Sequence, residues 1–305
     1  MSLVGVVIAV VAGDRREQEI ARQAALAEAE VRGFGFPWPE VGIEGVRKAE
    51  SAADALKGAD FALFPIPGIA PDGGLFAPSH DGRIIPSREM LAGMNKGANI
   101  ILGWADPNLR SHCEPLGIAI HEYEWDEELM LLRGPAIVEG MLRVIIENTD
   151  ITIHRANICC VGQGTIGTLV TRALVALGAR VHVVARNPVQ RAQASAAGAE
   201  PHDFSELASA LSAADIVVSS VPAQIVKREA LQAVQKGALL VDLAAPPGGI
   251  DRDAAKDLGL KFVWARGLGS RAPVTVGRSQ WGGIRRRIDA IRAGKPLPPM
   301  HRKGG

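Results

Sequence analysis

Glycines 162, 164 and 167 stand in G-Q-G-T-I-G, directly after the β-rich run Asn157–Val161 and before an apolar helical segment, with a second β-rich run at Arg180–Val184. Each glycine has its own task in such a turn. Gly162 permits the tight bend, Gly164 lets the backbone approach a pyrophosphate, and Gly167 lets the helix pack on the strand. Gln163, Thr165 and Ile166 complete the loop, whose helix N-terminus offers unpaired N–H groups and a favourable dipole to phosphate. At the end of the second strand, an NAD-selective enzyme places a carboxylate on the ribose hydroxyls; here the position is Ala185, followed by Arg186 and Asn187. With no carboxylate to repel a 2′-phosphate and a guanidinium to pair with it, NADP is expected as cofactor, with NAD as the alternative. Val221 and Pro222, then Asp242, Leu243 and Ala244, end the next two strands, at the edge where a nicotinamide ring would lie.

The elements that must position these residues read as two α/β units. At 305 residues and 47% hydrophobic content the chain can bury two cores. Before residue 132, β-rich runs at Leu3–Val11, Phe61–Phe64, Asn99–Leu102 and Gly117–His121 alternate with a helix reaching about Val31 and another near Ser87–Met94. That alternation predicts a flavodoxin-like parallel sheet over residues 1–132. Ile137, Met141, Val144 and Ile145 recur at helical spacing from Pro135, so residues 133–153 are read as a connector helix and hinge. Residues 154–294 then form a Rossmann domain with strands at Arg180–Val184, Ile216–Ser219, Ala238–Leu243 and Lys261–Trp264. Its last helix, Gln280–Ala293, is open to returning to the first domain, and the basic run Arg285–Arg287 is read as its solvated face. The fold class is thus two doubly wound parallel-sheet domains joined by a helical connector. The long loop Pro65–Pro86 is expected at the mouth of a cleft between them, and residues 295–305 as a disordered tail.

Thirty-four Lys+Arg against 33 Asp+Glu leave no global field for nucleic acid or an anionic membrane. The opening apolar run is too short to span a bilayer and reads as a buried strand. Cys113, Cys159 and Cys160 show neither a disulfide framework nor a metal-ligand spacing, so a cytoplasmic protein with reduced, buried thiols and no metal is expected.

Taken in order, G-D-R-R-E-Q-E (13–19), R-G-P-A-I-V-E-G-M (133–141), E-N-T-D-I-T-I-H (147–154), G-Q-G-T-I-G (162–167), D-L-A-A-P-P-G-G (242–249) and A-P-V-T-V-G (272–277) resemble the A subunits of dipicolinate synthases of spore-forming bacteria. The matches run through nearly the whole chain. The resemblance implies oxidation of dihydrodipicolinate, a branch from the lysine pathway, to dipicolinate, with NADP taking the hydride. It further implies a partner, the flavoprotein-like B subunit of dipicolinate synthase, and expression in the mother cell of a sporulating bacterium. The chain departs from the pattern at Val274, where a lysine is usual, and in the first turn, A-G-D for G-G-D.

A dicarboxylate substrate needs cations or helix N-termini. Arg16, after the first strand, is expected either to face the cleft or to be a solvated helix position. Thr275 and Gly277 either meet a substrate carboxylate or merely cap the last helix. Glu139, among apolar residues, is the candidate proton acceptor, with a helix carboxylate bonded to a backbone amide as the other reading. His121 and His154 are ordinary general-base candidates, more often structural. Two other functions stay open: a D-2-hydroxyacid dehydrogenase, against which the second domain has, beyond His154 at its start, only His182 and His202, and a non-catalytic NADP-binding protein within a complex. Homo-oligomerisation is left open.

Overall fold

Two six-stranded, wholly parallel sheets organise the chain in the computed structural model, which describes residues 2–70 and 72–297. The expected tail lies outside the described residues from 298 onward. In chain order the first sheet brings β1 (Val7–Val11), α1 (Arg15–Leu26), β2 (Glu30–Phe34), β3 (Val46–Lys48), α2 (Ala52–Leu56), β4 (Phe61–Leu63), α3 (Arg88–Leu91), β5 (Asn99–Leu102), α4 (Pro107–Cys113) and β6 (Ala119–Glu122). Helix α5 (Glu127–Asn148) follows. The second sheet brings β7 (Asn157–Val161), α6 (Thr165–Ala176), β8 (Arg180–Val184), α7 (Pro188–Ala196), β9 (Glu200–His202), α8 (Leu207–Ser212), β10 (Ile216–Ser219), α9 (Arg228–Leu231), β11 (Leu239–Asp242), α10 (Arg252–Asp257) and β12 (Lys261–Trp264), and α11 (Pro273–Arg292) closes the chain. One compact unit holds the residues to Leu132 and those from Ala272 onward; the other runs from Arg133 to Arg271.

The strand orders are β3-β2-β1-β4-β5-β6 and β12-β11-β10-β7-β8-β9, so each unit is the same doubly wound sheet with its switch point beside its first strand. The first unit therefore carries one more edge strand, β3, than the flavodoxin-like order expected. Strands such as Asn157–Val161 and Leu239–Asp242 are continuous apolar runs because helices cover both faces of a parallel sheet. Burial raises the Cys113 thiol to about 11 and the Cys160 thiol to about 12, leaving them inert packing groups.

Several elements differ from expectation. The first helix stops at Leu26, and Val31 lies in β2, paired in register with Ile8; Glu28 at φ 69° breaks the helix that the alanine-rich run favours. Helix α5 starts eight residues before Pro135, because the Asp126 carboxylate accepts from the Leu129 amide and opens the first turn there. The proline is then inside the helix instead of at its start. Helix α11 packs on α1 in the first unit: Glu19, held at about 2 despite its burial by hydrogen bonds from Arg22, Arg278 and Gln23, joins the two helices. Of the basic run, only Arg286 is solvated. Arg287 is 1% exposed and bonds the Asp126 carboxylate at 3.0 Å, while Arg285 pairs with Asp289. No helix among the described residues is long and apolar enough to cross a membrane.

Candidate functional site

The turn between β7 and α6 separates the three glycines physically. Gly162 has φ 95°, and a Cβ there would sit 2.4 Å from Val221 Cγ2. A Cβ on Gly167 would lie 2.1 Å from the Gly162 carbonyl oxygen. At Gly164 a Cβ would meet nothing within 4 Å, and this residue begins α6 with no side-chain cap. The first intrahelical bond runs from the Thr168 amide to the Gly164 carbonyl, so the amides of Thr165, Ile166 and Gly167 have no helical acceptor. Gln163 belongs to the loop through its backbone. Its side chain is 2% exposed and accepts from the Thr171 hydroxyl at 2.8 Å, so only its backbone is available to a phosphate.

The turn after β1 in the first unit has the same place in the same topology, with the opposite chemistry. Asp14 caps α1, Glu17 answers in a capping box, and the Asp14 amide donates to Glu17 Oε2 at 2.7 Å. Burial, opposed by Arg16 and reinforced by Asp14, raises the Glu17 carboxyl from 4.5 to about 7. Arg16 is not a solvated helix position: it is 6% exposed, and its Nε and Nη2 donate to the two Asp14 oxygens at 2.9 Å each. One helix N-terminus is thus filled by the chain's own acids and the other is left to an outside anion.

Beyond β8, Ala185 is buried and donates its amide to the His202 carbonyl, whereas Arg186 is exposed and makes no ion pair among the described residues. Asn187 caps α7 through the Val189 amide at 2.8 Å. Sequence reasoning missed Arg191, whose Nη1 donates to the carbonyls of Ala185 and Arg186 at 2.8 and 2.9 Å and to Asp203 at 2.6 Å. Its signal is positional, since a guanidinium one turn into a helix can reach back to the strand end that precedes it. Val221 packs on the turn and Pro222 is exposed. Asp242 serves its own loop: 1% exposed, it accepts from the amides of Ala244, Gly249 and Ile250. Leu243 donates its amide to the Ser219 carbonyl, and the Ala244 carbonyl accepts from Trp264 Nε1.

The remaining candidates scatter. Glu139 is exposed and ion-paired with Arg271, not set among apolar side chains, because the inward face of α5 is carried by Val138, Met141 and Ile145. Thr275 is exposed in the first turn of α11, whose N-cap is Ala272 without a side-chain bond, so it caps nothing. Gly277 is a packing glycine: a Cβ would lie 2.7 Å from the Arg16 carbonyl and from Glu19 Cβ. His121 bonds Asn99 at 2.8 Å, and burial together with Arg287 lowers its pKa, while His154 is exposed beside the Leu177 carbonyl.

Residues 7–124 match the family model of the N-terminal domain of the dipicolinate synthase A subunit, and residues 145–258 that of shikimate/quinate 5-dehydrogenases. The chain is 27% identical over 277 residues to the dipicolinate synthase A subunit of Bacillus subtilis (strain 168), covering 90% of this chain and 93% of that protein. The crystal structure of the dipicolinate synthase A subunit from Bacillus halodurans superposes with a TM-score of 0.86 at 26% identity, over 97% of this chain and 100% of that one. A transhydrogenase from Sinorhizobium meliloti, at 18% identity and TM-score 0.69 over 94% and 96% of the two chains, shares the fold.

Proposed function

Because the chain belongs to the family of dipicolinate synthase A subunits, we propose that it oxidises dihydrodipicolinate to dipicolinate with NADP as hydride acceptor, working with a B subunit in the cytoplasm of a sporulating mother cell. The observation that carries the cofactor half of this reading is the contrast between two equivalent helix N-termini, one closed by Asp14 and Glu17 and the other opened by Gly164. The amides of Thr165, Ile166 and Gly167 would hold the pyrophosphate. Arg186, exposed and without an ion-pair partner among the described residues, would meet the 2′-phosphate, while Arg191 keeps the Ala185–Arg186 carbonyls in place beneath it. Bound there, the nicotinamide supplies an acceptor for hydride.

Loss of hydride from a ring carbon and of a proton from the ring makes the product aromatic, so the protein has mainly to orient the ring and receive the proton. Glu139, exposed and ion-paired with Arg271, is the carboxylate assigned to that proton. The test is to add the purified chain alone to dihydrodipicolinate and NADP and follow cofactor reduction. Reduction without the B subunit supports a complete catalytic chain. Cofactor binding with no reduction, whether or not the B subunit is present, overturns the reading in favour of a non-catalytic NADP-binding role.

A further inference from the structure

Strands β8 and β9 bring together three side chains that lie up to twenty positions apart in sequence. His182 pairs in register with Glu200, and His202 lies two residues further along β9. His182 Nδ1 is 3.1 Å from His202 Nε2 and 3.3 Å from one Glu200 oxygen, and the other Glu200 oxygen is 3.8 Å from His202 Nε2. One ligand atom from each residue thus fits within 4.8 Å of the others. Bonds of about 2.0–2.1 Å at a tetrahedral angle separate neighbouring ligands by roughly 3.4 Å. The two spacings from His182 Nδ1, 3.1 and 3.3 Å, lie close to that value.

We propose that His182, Glu200 and His202 form a site for a divalent transition-metal ion of the zinc type, clamping the three-residue edge strand β9 to β8. Two imidazoles and one carboxylate are borderline ligands suited to zinc, and they leave a fourth position for water. The histidine side chains are 23% and 14% exposed and that of Glu200 is 65% exposed, so solvent reaches one side of the cluster. The second ring nitrogen of His202, Nδ1, lies 3.8 Å from the Glu206 carboxylate, in the direction of a group that orients a ligating imidazole. The position also gives the ion a mechanical consequence. The His202 carbonyl accepts the Ala185 amide and Asp203 holds Arg191, so fixing β9 fixes the segment that carries Arg186.

The experiment uses the full chain stripped with a chelator and titrated with Zn2+ by calorimetry, alongside Co2+ as a spectroscopic probe. One Zn2+ per chain is expected, with a rise in melting temperature and a tetrahedral Co2+ ligand-field spectrum. His202→Gln and His182→Gln should weaken binding by about 100-fold or more and remove the melting shift, whereas His154→Gln in the same unit should change neither. Glu200→Gln, at an exposed position, should weaken binding by about tenfold. Absence of stoichiometric binding, or wild-type affinity in Glu200→Gln and His202→Gln, would overturn the site and leave the histidine pair as one imidazole N–H donating to the other ring.

Discussion

Replacing Gly164 with alanine separates what the turn needs for folding from what it needs for a ligand. The residue has φ −75° and ψ −164°, ordinary for alanine, and the added Cβ meets nothing within 4 Å. Alanine is a poorer helix N-cap by about 0.5–1 kcal/mol, which the reduced freedom of the unfolded chain offsets by about 0.4–1 kcal/mol. Stability should change by less than about 1 kcal/mol, a shift of at most about 2–4 °C in Tm. The methyl would nevertheless stand where a pyrophosphate has to approach the backbone, and NADP affinity should fall about 10–100-fold, or roughly 1.4–2.7 kcal/mol. Gly162→Ala provides the contrast. Its φ of 95° adds about 1–2 kcal/mol of backbone strain, and the contact with Val221 adds about 1–3 kcal/mol of overpacking. That loss of about 2–5 kcal/mol should lower Tm by about 10 °C. Thermal unfolding and fluorescence titration with NADPH measure both quantities. Wild-type cofactor affinity in Gly164→Ala, or a wild-type Tm in Gly162→Ala, would refute the reasoning.

Arg186→Ala should weaken NADP binding about tenfold or more and leave NAD binding nearly unchanged, because only the phosphate pair is lost; equal weakening of both in titrations would reject the assignment. Glu139→Gln should lower kcat about 100-fold with KM nearly unchanged in steady-state assays, whereas loss of a merely structural ion pair with Arg271 would leave kcat unchanged. Arg16→Ala leaves the Asp14 carboxylate without its fork and should cost about 3 kcal/mol of stability in denaturant unfolding, with cofactor affinity unchanged; native stability would show that the pair is not the one described. The Glu17 carboxyl is raised from 4.5 to about 7 in the folded chain, so its contribution to stability is full below about 4.5 and is lost as pH rises through about 7. Glu17→Gln should remove a pH-dependent part of stability on the order of 3 kcal/mol across that window, seen as a shallower change of unfolding free energy between pH 5 and pH 7.

Local chemistry settled a good deal in advance. The strand, G-Q-G-T-I-G and helix succession needs only the conformational latitude of glycine and the period of apolar residues, both written in the sequence, and Gly162, Gly164 and Gly167 lie in the turn from β7 into α6. The absence of a carboxylate at Ala185 was equally legible, as were the apolar runs of the parallel strands, whose two covered faces leave no polar alternation. What the sequence left undecided is which side chains are already engaged. Arg16 and Arg287 read as solvated or ligand-facing cations, and each turns out to be held by a carboxylate, Asp14 from two residues away and Asp126 from another element. Glu139 read as buried because its neighbours are apolar, yet the helix turns it outward to Arg271. The pairing of His182 with His202 has no sequence spacing to reveal it, since it exists only where β9 adds in register to β8. A guanidinium, a carboxylate or an imidazole is defined chemically by its partner, and partners come from long-range packing, which only the tertiary structure decides.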